Sequence, residues 1–191
     1  RGVLHTPGDL AVTGISDGLD VVVAQQEYAA FGLSLKVVED VLHGAIRHVD
    51  AWYQAFDVSD ADAFESAAAQ FLRDAGGIDL VINNAGVGGG GPVAETPIDQ
   101  QTFVYDVNVE GVYRVTKAFA PLIVESKGRI VTTGSIAGTL SWAGGTAYSG
   151  SKHWIEAFTD GLAAEMEPLG VSVGVIEPGN YQSRIRRSAV L

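Results

Sequence analysis

The chain has 191 residues, no cysteine, a formal net charge of −11 and 47% hydrophobic residues, which suits one globular domain with a substantial core. The missing cysteines exclude disulfides and thiolate chemistry, and so acidic a surface argues against nucleic-acid and membrane partners. No apolar run reaches the length of a membrane helix and no signal-peptide pattern opens the chain, so we expect a soluble, cytoplasmic protein.

Short β-branched runs alternate along the chain with longer helical stretches. The predicted strands cover residues 10–12, 35–38, 51–56, 78–82, 130–133 and 171–176. The predicted helices cover residues 19–31, 60–74, 98–125 and 147–168, with a brief one near 41–48. Several strands are apolar at nearly every position, as expected of strands covered on both faces. The alternation predicts an α/β fold, a doubly wound parallel sheet that binds ligands at the carboxyl ends of its strands.

A glycine-rich turn is predicted after the first strand, in Thr13-Gly14-Ile15-Ser16-Asp17-Gly18-Leu19-Asp20. Glycines at 14 and 18 let the backbone turn tightly and approach a pyrophosphate, which the next helix N-terminus can bind. A carboxylate at Asp20 suits the helix dipole but opposes the charge of a pyrophosphate. The segment is therefore a candidate cofactor loop, and the alternative is an ordinary strand–helix turn.

An acidic pair follows the second predicted strand, about 25 residues past Gly14, at Glu39 and Asp40. A carboxylate at this place can accept a hydrogen bond from the adenine ribose 2′-hydroxyl and repel a 2′-phosphate. Glu39 therefore favours NAD over NADP. The alternative is a solvated strand end.

Tyr148 and Lys152 stand four residues apart in the last predicted helix and project from one face. A free tyrosine has a pKa of about 10, too high for a proton shuttle near neutral pH. An ammonium about 5 Å away at an effective dielectric near 20 contributes roughly 3 kcal/mol, or about two pKa units. The pair is a candidate acid–base centre in which Lys152 lowers the pKa of Tyr148; the alternative is chance spacing on a surface.

The order and spacing of the motifs resemble the short-chain dehydrogenase/reductase family of the Tyr-x-x-x-Lys type. The resemblance runs from Leu10 to about Ser183 and is firmest from Asp57 onwards. The matching features are the Gly14–Gly18 spacing (with Asp20 replacing a third glycine), Asp57-Val58, Asn83-Asn84-Ala85-Gly86, Asn108, Ser135 thirteen residues before Tyr148, and Pro178-Gly179. Ser183 stands where the family usually has a threonine.

The resemblance implies one NAD(P)-binding Rossmann-type oxidoreductase domain over residues 1–191, transferring hydride between NAD(H) and an alcohol or carbonyl substrate. Tyr148 would be the general acid or base, Lys152 would hold the nicotinamide ribose, Ser135 would bind the substrate oxygen, and Asn108 would complete a water-linked proton relay. The implied cofactor contacts are Gly14, Ser16, Asp17, Gly18, Leu19, Glu39, Asp57, Val58, Asn84, Ala85, Gly86, Tyr148, Lys152, Pro178 and Gly179. The implied substrate contacts are Ser135, Tyr148 and Tyr181.

Three further expectations follow from the resemblance. Asp17 lies where NADP-preferring relatives often carry a base, which again favours NAD. The apolar stretches around 107–123 and 154–166 match helices through which relatives form dimers or tetramers, so we expect at least a homodimer. Relatives also continue past the position of Leu191, so either this protein is short or C-terminal segments are absent from the chain.

Two alternatives to the enzyme stay open. A non-catalytic dinucleotide-binding or regulatory protein of the same fold is favoured by Asp20 and disfavoured by the complete Ser-Tyr-Lys-Asn set. A structural or interaction protein would bind no nucleotide. His153 points off the face that carries Lys152, and the histidines lack metal-ligand spacing, so we predict no metal site. Trp142, Tyr181 and the glycine-rich segment 86–92 indicate a partly apolar substrate pocket.

Overall fold

The computed structural model describes residues 78–180 throughout, the backbone of three earlier strands, and residues 69 and 73. The strands are β1 (Asp9–Ser16), β2 (Val21–Gln26), β3 (Asp50–Asp57), β4 (Leu80–Asn83), β5 (Arg129–Thr133) and β6 (Ser172–Ile176). They form one sheet in the order β3-β1-β2-β4-β5-β6. No helix among the described residues is long and apolar enough to cross a membrane.

Four of the six strands, β2, β4, β5 and β6, run parallel to one another. Strands β4 and β5 carry apolar β-branched residues, including Val81 and Ile130, which are 1% exposed. Because parallel strands end at the same edge, Asn83, Thr133 and Ile176 are brought together there. The predicted α/β architecture is therefore confirmed, and ligands of such sheets bind at this edge.

The amino-terminal part of the sheet differs from the prediction. Strand β1 extends to Ser16 instead of ending at residue 12, and it runs antiparallel to both β2 and β3. The helix predicted over 19–31 is wrong at 21–26, where three consecutive valines prefer a strand to a helix. The strand predicted at 35–38 and the helix predicted at 41–48 lie outside the described residues. In the helix predicted at 60–74, the two described residues are helical.

Three helices complete the described fold: α1 (Ile98–Tyr105), α2 (Val112–Ser126) and α3 (Thr146–Met166). The single helix predicted over 98–125 is interrupted by a π-helical segment, Asp106–Gly111, which joins α1 to α2. Helix α2 ends at Lys127, whose φ of 54° is left-handed. Helix α3 begins one residue before its predicted start, and a short 3₁₀ turn, Glu167–Leu169, follows it.

The core fixes how α2 and α3 lie against the sheet. Phe119 and Ile123 of α2 are fully buried against Ile78 and Ile130, in a cluster that also holds Leu162 of α3. Burying a side chain of this size stabilises the fold by about 1.5–3 kcal/mol. The buried stripe of α3 also contains Ile155, one turn from the amino-terminal part of the helix that carries Tyr148 and Lys152. Packing of this stripe sets the direction in which those two side chains point.

Candidate active site

Ser135 follows β5 in a turn that is held from two sides. The Gly134 N–H donates to the carbonyl oxygen of Ile176 at 2.8 Å, and the Ile136 N–H donates to that of Pro178 at 3.1 Å. The Ser135 hydroxyl accepts from the Ala137 N–H at 3.1 Å and caps the 3₁₀ turn Ile136–Gly138. Ser135 is therefore fixed at the carboxyl edge of the sheet, beside the segment that follows β6.

Helix α3 brings Tyr148 to the same place. The Ser135 side chain lies near enough to the Tyr148 phenol to act on its pKa. One turn further on, the Lys152 Nζ lies over the Tyr148 ring at 5.9 Å from its centroid and donates to the Thr133 carbonyl oxygen at 2.7 Å. The structure thus assembles a phenol, a hydroxyl and an ammonium, the three groups that the sequence pattern places in one candidate site.

The pKa of Tyr148 differs from the expectation. We expected the Lys152 ammonium to lower it, but burial raises the pKa of the phenol above its ordinary value of 10.0, and the Ser135 side chain opposes this only in part. The prediction of a lowered pKa is wrong because burial disfavours the charged phenolate, an effect that residue spacing does not reveal. Tyr148 consequently carries its proton at neutral pH.

Lys152 is 2% exposed. Its burial lowers the pKa of the ammonium to about 8, and the charge of Glu156 acts in the opposite direction. At neutral pH the side chain remains mostly protonated. The site therefore combines a protonated phenol with a buried cation.

Asn108 lies in the π-helical segment and is fully buried. Its Oδ1 accepts from the Val87 N–H at 2.8 Å, and its Nδ2 donates to the Val87 carbonyl oxygen and to the Ser151 hydroxyl, both at 3.0 Å. Ser151 in turn donates to the Tyr148 carbonyl oxygen at 2.7 Å. Asn108 therefore ties the segment after β4 to helix α3, and its role in a proton relay stays a prediction.

Ser151 was not singled out from the sequence. It lies between Tyr148 and Lys152 in the chain, and a small polar residue inside a helix does not by itself indicate a role in the site. The available signal was its spacing of three from Tyr148, which turns it toward the same side of the helix. A hydroxyl in that position bonds readily to a backbone carbonyl of the preceding turn.

The residues after β4 form one wall of the site. The Asn83 amide donates to the hydroxyls of Thr116 at 3.0 Å and Thr132 at 3.3 Å, which braces β4 against α2 and β5. The Thr133 hydroxyl donates to Asn84 Oδ1 at 2.9 Å. Ala85 packs against the core. These contacts brace the sheet at the Asn-Asn-Ala-Gly motif.

Gly86 adjoins the chemical groups directly. A Cβ added there would lie 3.5 Å from Asn108 Oδ1 and 3.7 Å from Lys152 Nζ, so the glycine leaves space beside the ammonium. Among the described residues, the Thr133 carbonyl accepts one of the three Nζ donors. An ammonium with donors to spare, a phenol and bare backbone at Gly86 fit the hydroxyl-rich ribose of a nicotinamide nucleotide.

The structure describes some of the other predicted cofactor residues and leaves the rest outside its described part. Asp57 ends β3 at the same sheet edge as Asn83, with β1 and β2 between their strands. Pro178 accepts its hydrogen bond next to Ser135, and Gly179 follows it. Asp17, Gly18, Leu19, Glu39, Val58 and Tyr181 lie outside the described residues.

Gly14 and Ser16 are not brought to this edge. Gly14 pairs with Trp52 and Ser16 with Asp50 inside the β1–β3 ladder, so their predicted place in a turn is wrong. Because β1 is antiparallel to β2, its carboxyl end lies at the opposite edge from Asn83 and Thr133. A cofactor-binding role for these two residues stays a prediction, which this arrangement does not support.

The sequence also matches proteins of known family. The family described as short chain dehydrogenase matches residues 9–190. The chain is 35% identical to Dehydrogenase/reductase SDR family member 7B of Mus musculus, over 95% of this chain and 60% of that protein. It is 45% identical to the mitochondrial D-beta-hydroxybutyrate dehydrogenase of Bos taurus over 53% of this chain and 29% of that protein. The chain thus spans three fifths or less of these two relatives.

Solved structures agree with the sequence comparison. A short-chain dehydrogenase from Streptomyces avermitilis superposes with a TM-score of 0.71 at 28% identity, covering 88% of this chain and 60% of that one. A short-chain dehydrogenase/reductase from Burkholderia phymatum in complex with NAD has a TM-score of 0.65 at 32% identity, over 69% and 48% of the two chains. These likenesses confirm the Rossmann-type fold and the oxidoreductase family. This chain belongs to the short-chain dehydrogenase family.

Proposed function

We propose that this protein is an NAD(H)-linked oxidoreductase acting on an alcohol or carbonyl group, with Tyr148 as its general acid and base. The observation that carries the proposal is the Lys152 ammonium, 5.9 Å from the centroid of the Tyr148 ring and bonded to the end of β5, directly before the turn that carries Ser135. A phenol and a hydroxyl at one edge of the sheet can contact one substrate oxygen together. We therefore assign Ser135 and Tyr148 to the reacting oxygen.

When bound, the nicotinamide supplies or accepts the hydride at the substrate carbon. During carbonyl reduction Tyr148 transfers its proton to the substrate oxygen, and the C=O bond becomes a C–OH bond. Ser135 donates a hydrogen bond to that oxygen as negative charge develops on it. Lys152 stabilises the phenolate that remains on Tyr148. In alcohol oxidation each proton movement runs in reverse.

The protonation states favour one direction near neutral pH. Burial keeps the phenol of Tyr148 protonated, and a protonated phenol is ready to act as an acid. Carbonyl reduction requires that acid, whereas alcohol oxidation requires the phenolate. We infer that reduction is the faster direction at neutral pH.

We propose NAD as the preferred cofactor. The acidic residues Asp17 and Glu39 support this preference, since a carboxylate beside the adenine ribose repels a 2′-phosphate. Solved relatives include complexes with NAD and with NADP, so the family alone does not select between them. Thermal unfolding with NADH and NADPH distinguishes the two, because a ligand at a hundred times its Kd stabilises the folded protein by about 2.7 kcal/mol.

A screen of carbonyl compounds with NADH tests the activity, and Tyr148→Phe is the matched variant. The substitution removes one hydroxyl and leaves the ring beside Lys152, so NADH binding should persist while turnover is lost. Retention of most turnover would refute Tyr148 as the proton donor.

A second candidate is a non-catalytic, dinucleotide-binding regulator. Asp20, which stands where the family has a third glycine, favours it. The grouping of Tyr148, Ser135 and Lys152 at the end of β5 favours the enzyme. Tight NADH binding without turnover of any carbonyl compound would support the regulator.

Exposed apolar side chains around the Ser135 turn suggest the character of the substrate. Ile136 is 47% exposed, Leu140 45% and Trp142 51%, and all three lie between Ser135 and helix α3 in the chain. Such a surface suits a carbonyl compound with an apolar portion. We propose this substrate class, and a cytoplasmic location for the protein.

We also propose a homodimer formed through α2 and α3. Tyr113 of α2 is 49% exposed, and it packs at 6.2 Å between ring centroids against Phe158 of α3, which stacks on Trp154 at 4.7 Å. Partly exposed aromatic side chains of this kind are enriched at protein–protein interfaces.

A further inference from the structure

Glu156 lies one helical turn beyond Lys152 on α3, and the proposed mechanism does not use it. Its Oε1 is buried and has no hydrogen-bond partner among the described residues. A buried carboxylate oxygen without a hydrogen bond is costly, so it calls for an explanation.

The position of the Glu156 carboxyl group depends on two glycines that flank Ser135. A Cβ added at Gly134 would lie 2.7 Å from Glu156 Oε1, and one added at Gly138 would lie 2.6 Å from the same atom. Both distances are shorter than atoms allow, so the two glycines leave the space that the Glu156 carboxyl group occupies, and a side chain at either would make that group shift. The turn that carries Ser135 therefore makes room for Glu156.

The charge of Glu156 acts on Lys152. Burial destabilises the Lys152 ammonium, and Glu156 is the charged group that raises its pKa against this effect. The Thr133 carbonyl oxygen accepts a hydrogen bond from Nζ. Glu156 is four residues from Lys152 on the same helix face, the spacing at which opposite charges attract.

Other charged groups also face Glu156. Glu177, after β6, and Asp160 on α3 raise the pKa of its carboxyl group, as does burial, whereas Lys152 and His153 lower it. The two neighbouring acids make the negative charge at Glu156 harder to keep. Lys152 is the group that gains most from keeping it.

We propose that Glu156 is a positioning residue whose carboxyl group, one turn beyond Lys152 on α3, lies beside the Lys152 ammonium as its counter-charge, in the space that Gly134 and Gly138 leave open. The inference rests on the proposed function, because a protonated Lys152 is needed to stabilise the Tyr148 phenolate. Glu156 itself touches neither substrate nor cofactor.

The test measures the titration of Lys152 directly. The chain has four lysines, so NMR of lysines labelled with ¹³C at Cε gives four signals, and Lys152→Met assigns one of them by its disappearance. Glu156→Gln keeps the size of the side chain and removes its charge. We expect the titration midpoint of Lys152 to fall by roughly half a pH unit to one unit, since an opposite charge is lost nearby.

Two further variants make the result specific. Glu165→Gln removes the same charge from an exposed position on α3 and should leave the Lys152 midpoint unchanged. Gly138→Ala keeps all charges but pushes the Glu156 carboxyl group aside, because Glu156 atoms are the neighbours that its new Cβ would meet. It should lower the midpoint as Glu156→Gln does, and it carries the test if Glu156→Gln fails to fold.

An unchanged midpoint in both Glu156→Gln and Gly138→Ala would overturn the inference, as would an equal shift in Glu165→Gln. The alkaline limb of the activity profile should move to lower pH by the same amount as the NMR midpoint. If the midpoint shifts as expected while the unsubstituted protein turns over no carbonyl compound, the proposed function fails, but the control of Lys152 by Glu156 stands.

Discussion

The Nζ of Lys152 donates a 2.7 Å hydrogen bond to the carbonyl oxygen of Thr133, although Lys152 is only 2% exposed. A strand-end carbonyl thus holds a buried cation under the face of the Tyr148 ring. One hydrogen bond does not replace the hydration that an ammonium has in water, which is why burial dominates its pKa. The site keeps this charge at the expense of stability.

Replacement of Lys152 by methionine should abolish turnover and stabilise the fold. The folded-state pKa is about 8 against an ordinary value of 10.5, which corresponds to about 3 kcal/mol of destabilisation below pH 8. Loss of the Thr133 hydrogen bond offsets about 1 kcal/mol. We therefore expect Lys152→Met to raise the free energy of unfolding by about 1–2 kcal/mol at pH 7, measured by urea denaturation.

The difference in unfolding free energy between Lys152→Met and the unsubstituted protein should depend on pH. Between pH 8 and 10.5 the unfolded chain binds more protons at this lysine than the folded protein does, so the unsubstituted protein gains stability as pH rises. The advantage of Lys152→Met should accordingly shrink from pH 7 to pH 10. An advantage that stays constant over this range would contradict burial of a charged lysine.

Carbonyl reduction should slow at alkaline pH with a midpoint near 8. Lys152 loses its proton there, whereas the phenol of Tyr148 retains its own because its pKa is raised. The Tyr148 phenolate formed by proton transfer then lacks its neighbouring cation. A profile of kcat at saturating NADH measures the midpoint, and a rate that stays flat to pH 10 would exclude Lys152 as the responsible group.

Gly86→Ala should weaken NADH binding without unfolding the protein. The added Cβ would meet Asn108 Oδ1 and Lys152 Nζ at 3.5 and 3.7 Å, which are ordinary contact distances, so we expect a change in unfolding free energy within about 1 kcal/mol. The methyl group would nevertheless fill the space beside the ammonium. Fluorescence titration should show roughly tenfold weaker NADH binding, equivalent to about 1.4 kcal/mol. Unchanged affinity would place the nicotinamide ribose elsewhere.

Asn108→Ala should destabilise the protein by about 2–4 kcal/mol. It would leave the Val87 N–H and carbonyl groups unpaired in a buried place, and each unsatisfied group costs about 1–3 kcal/mol. Ser151→Ala is the milder control, because it removes one partner of Asn108 and keeps both bonds to Val87. Thermal unfolding should show a larger loss of stability for Asn108→Ala than for Ser151→Ala. The reverse order would contradict a stabilising role for the bonds between Asn108 and Val87.

Phe158→Glu should convert the proposed dimer into monomers. The substitution places a charge in the aromatic cluster formed with Tyr113 and Trp154, where a partner subunit would have to desolvate it. Light scattering at micromolar concentration gives the mass. A monomeric mass for the unsubstituted protein would contradict the proposed homodimer.

The sequence predicted the parts of the fold that depend on strong local patterns. Apolar runs identified β4, β5 and β6 to within two residues, and the spacing of Tyr148 and Lys152 indicated their shared helix face. The helix predicted over 19–31 is replaced by a strand at 21–26, where three β-branched residues in a row prefer the extended backbone. The π-helical segment could not be foreseen, since one extra residue per turn leaves no compositional mark.

The pKa changes in the site could be predicted from the sequence less well than the fold. Spacing placed a cation near Tyr148, but the sign of the pKa change depends on burial, which arises from residues distant in the chain. Glu156 was passed over for the same reason. Its contacts with Gly134 and Gly138 join segments that lie about twenty residues apart in sequence.

The position of Ser135 is coupled to the end of β6 and the segment after it. Backbone hydrogen bonds run from Gly134 and Ile136, on either side of Ser135, to Ile176 and Pro178. A substitution that shifts this segment would move the oxygen-binding hydroxyl even if it altered no contact with a ligand. Engineering of the substrate range should therefore leave residues 176–178 unchanged. It should instead vary Leu140 and Trp142, which are exposed and follow the Ser135 turn in the chain.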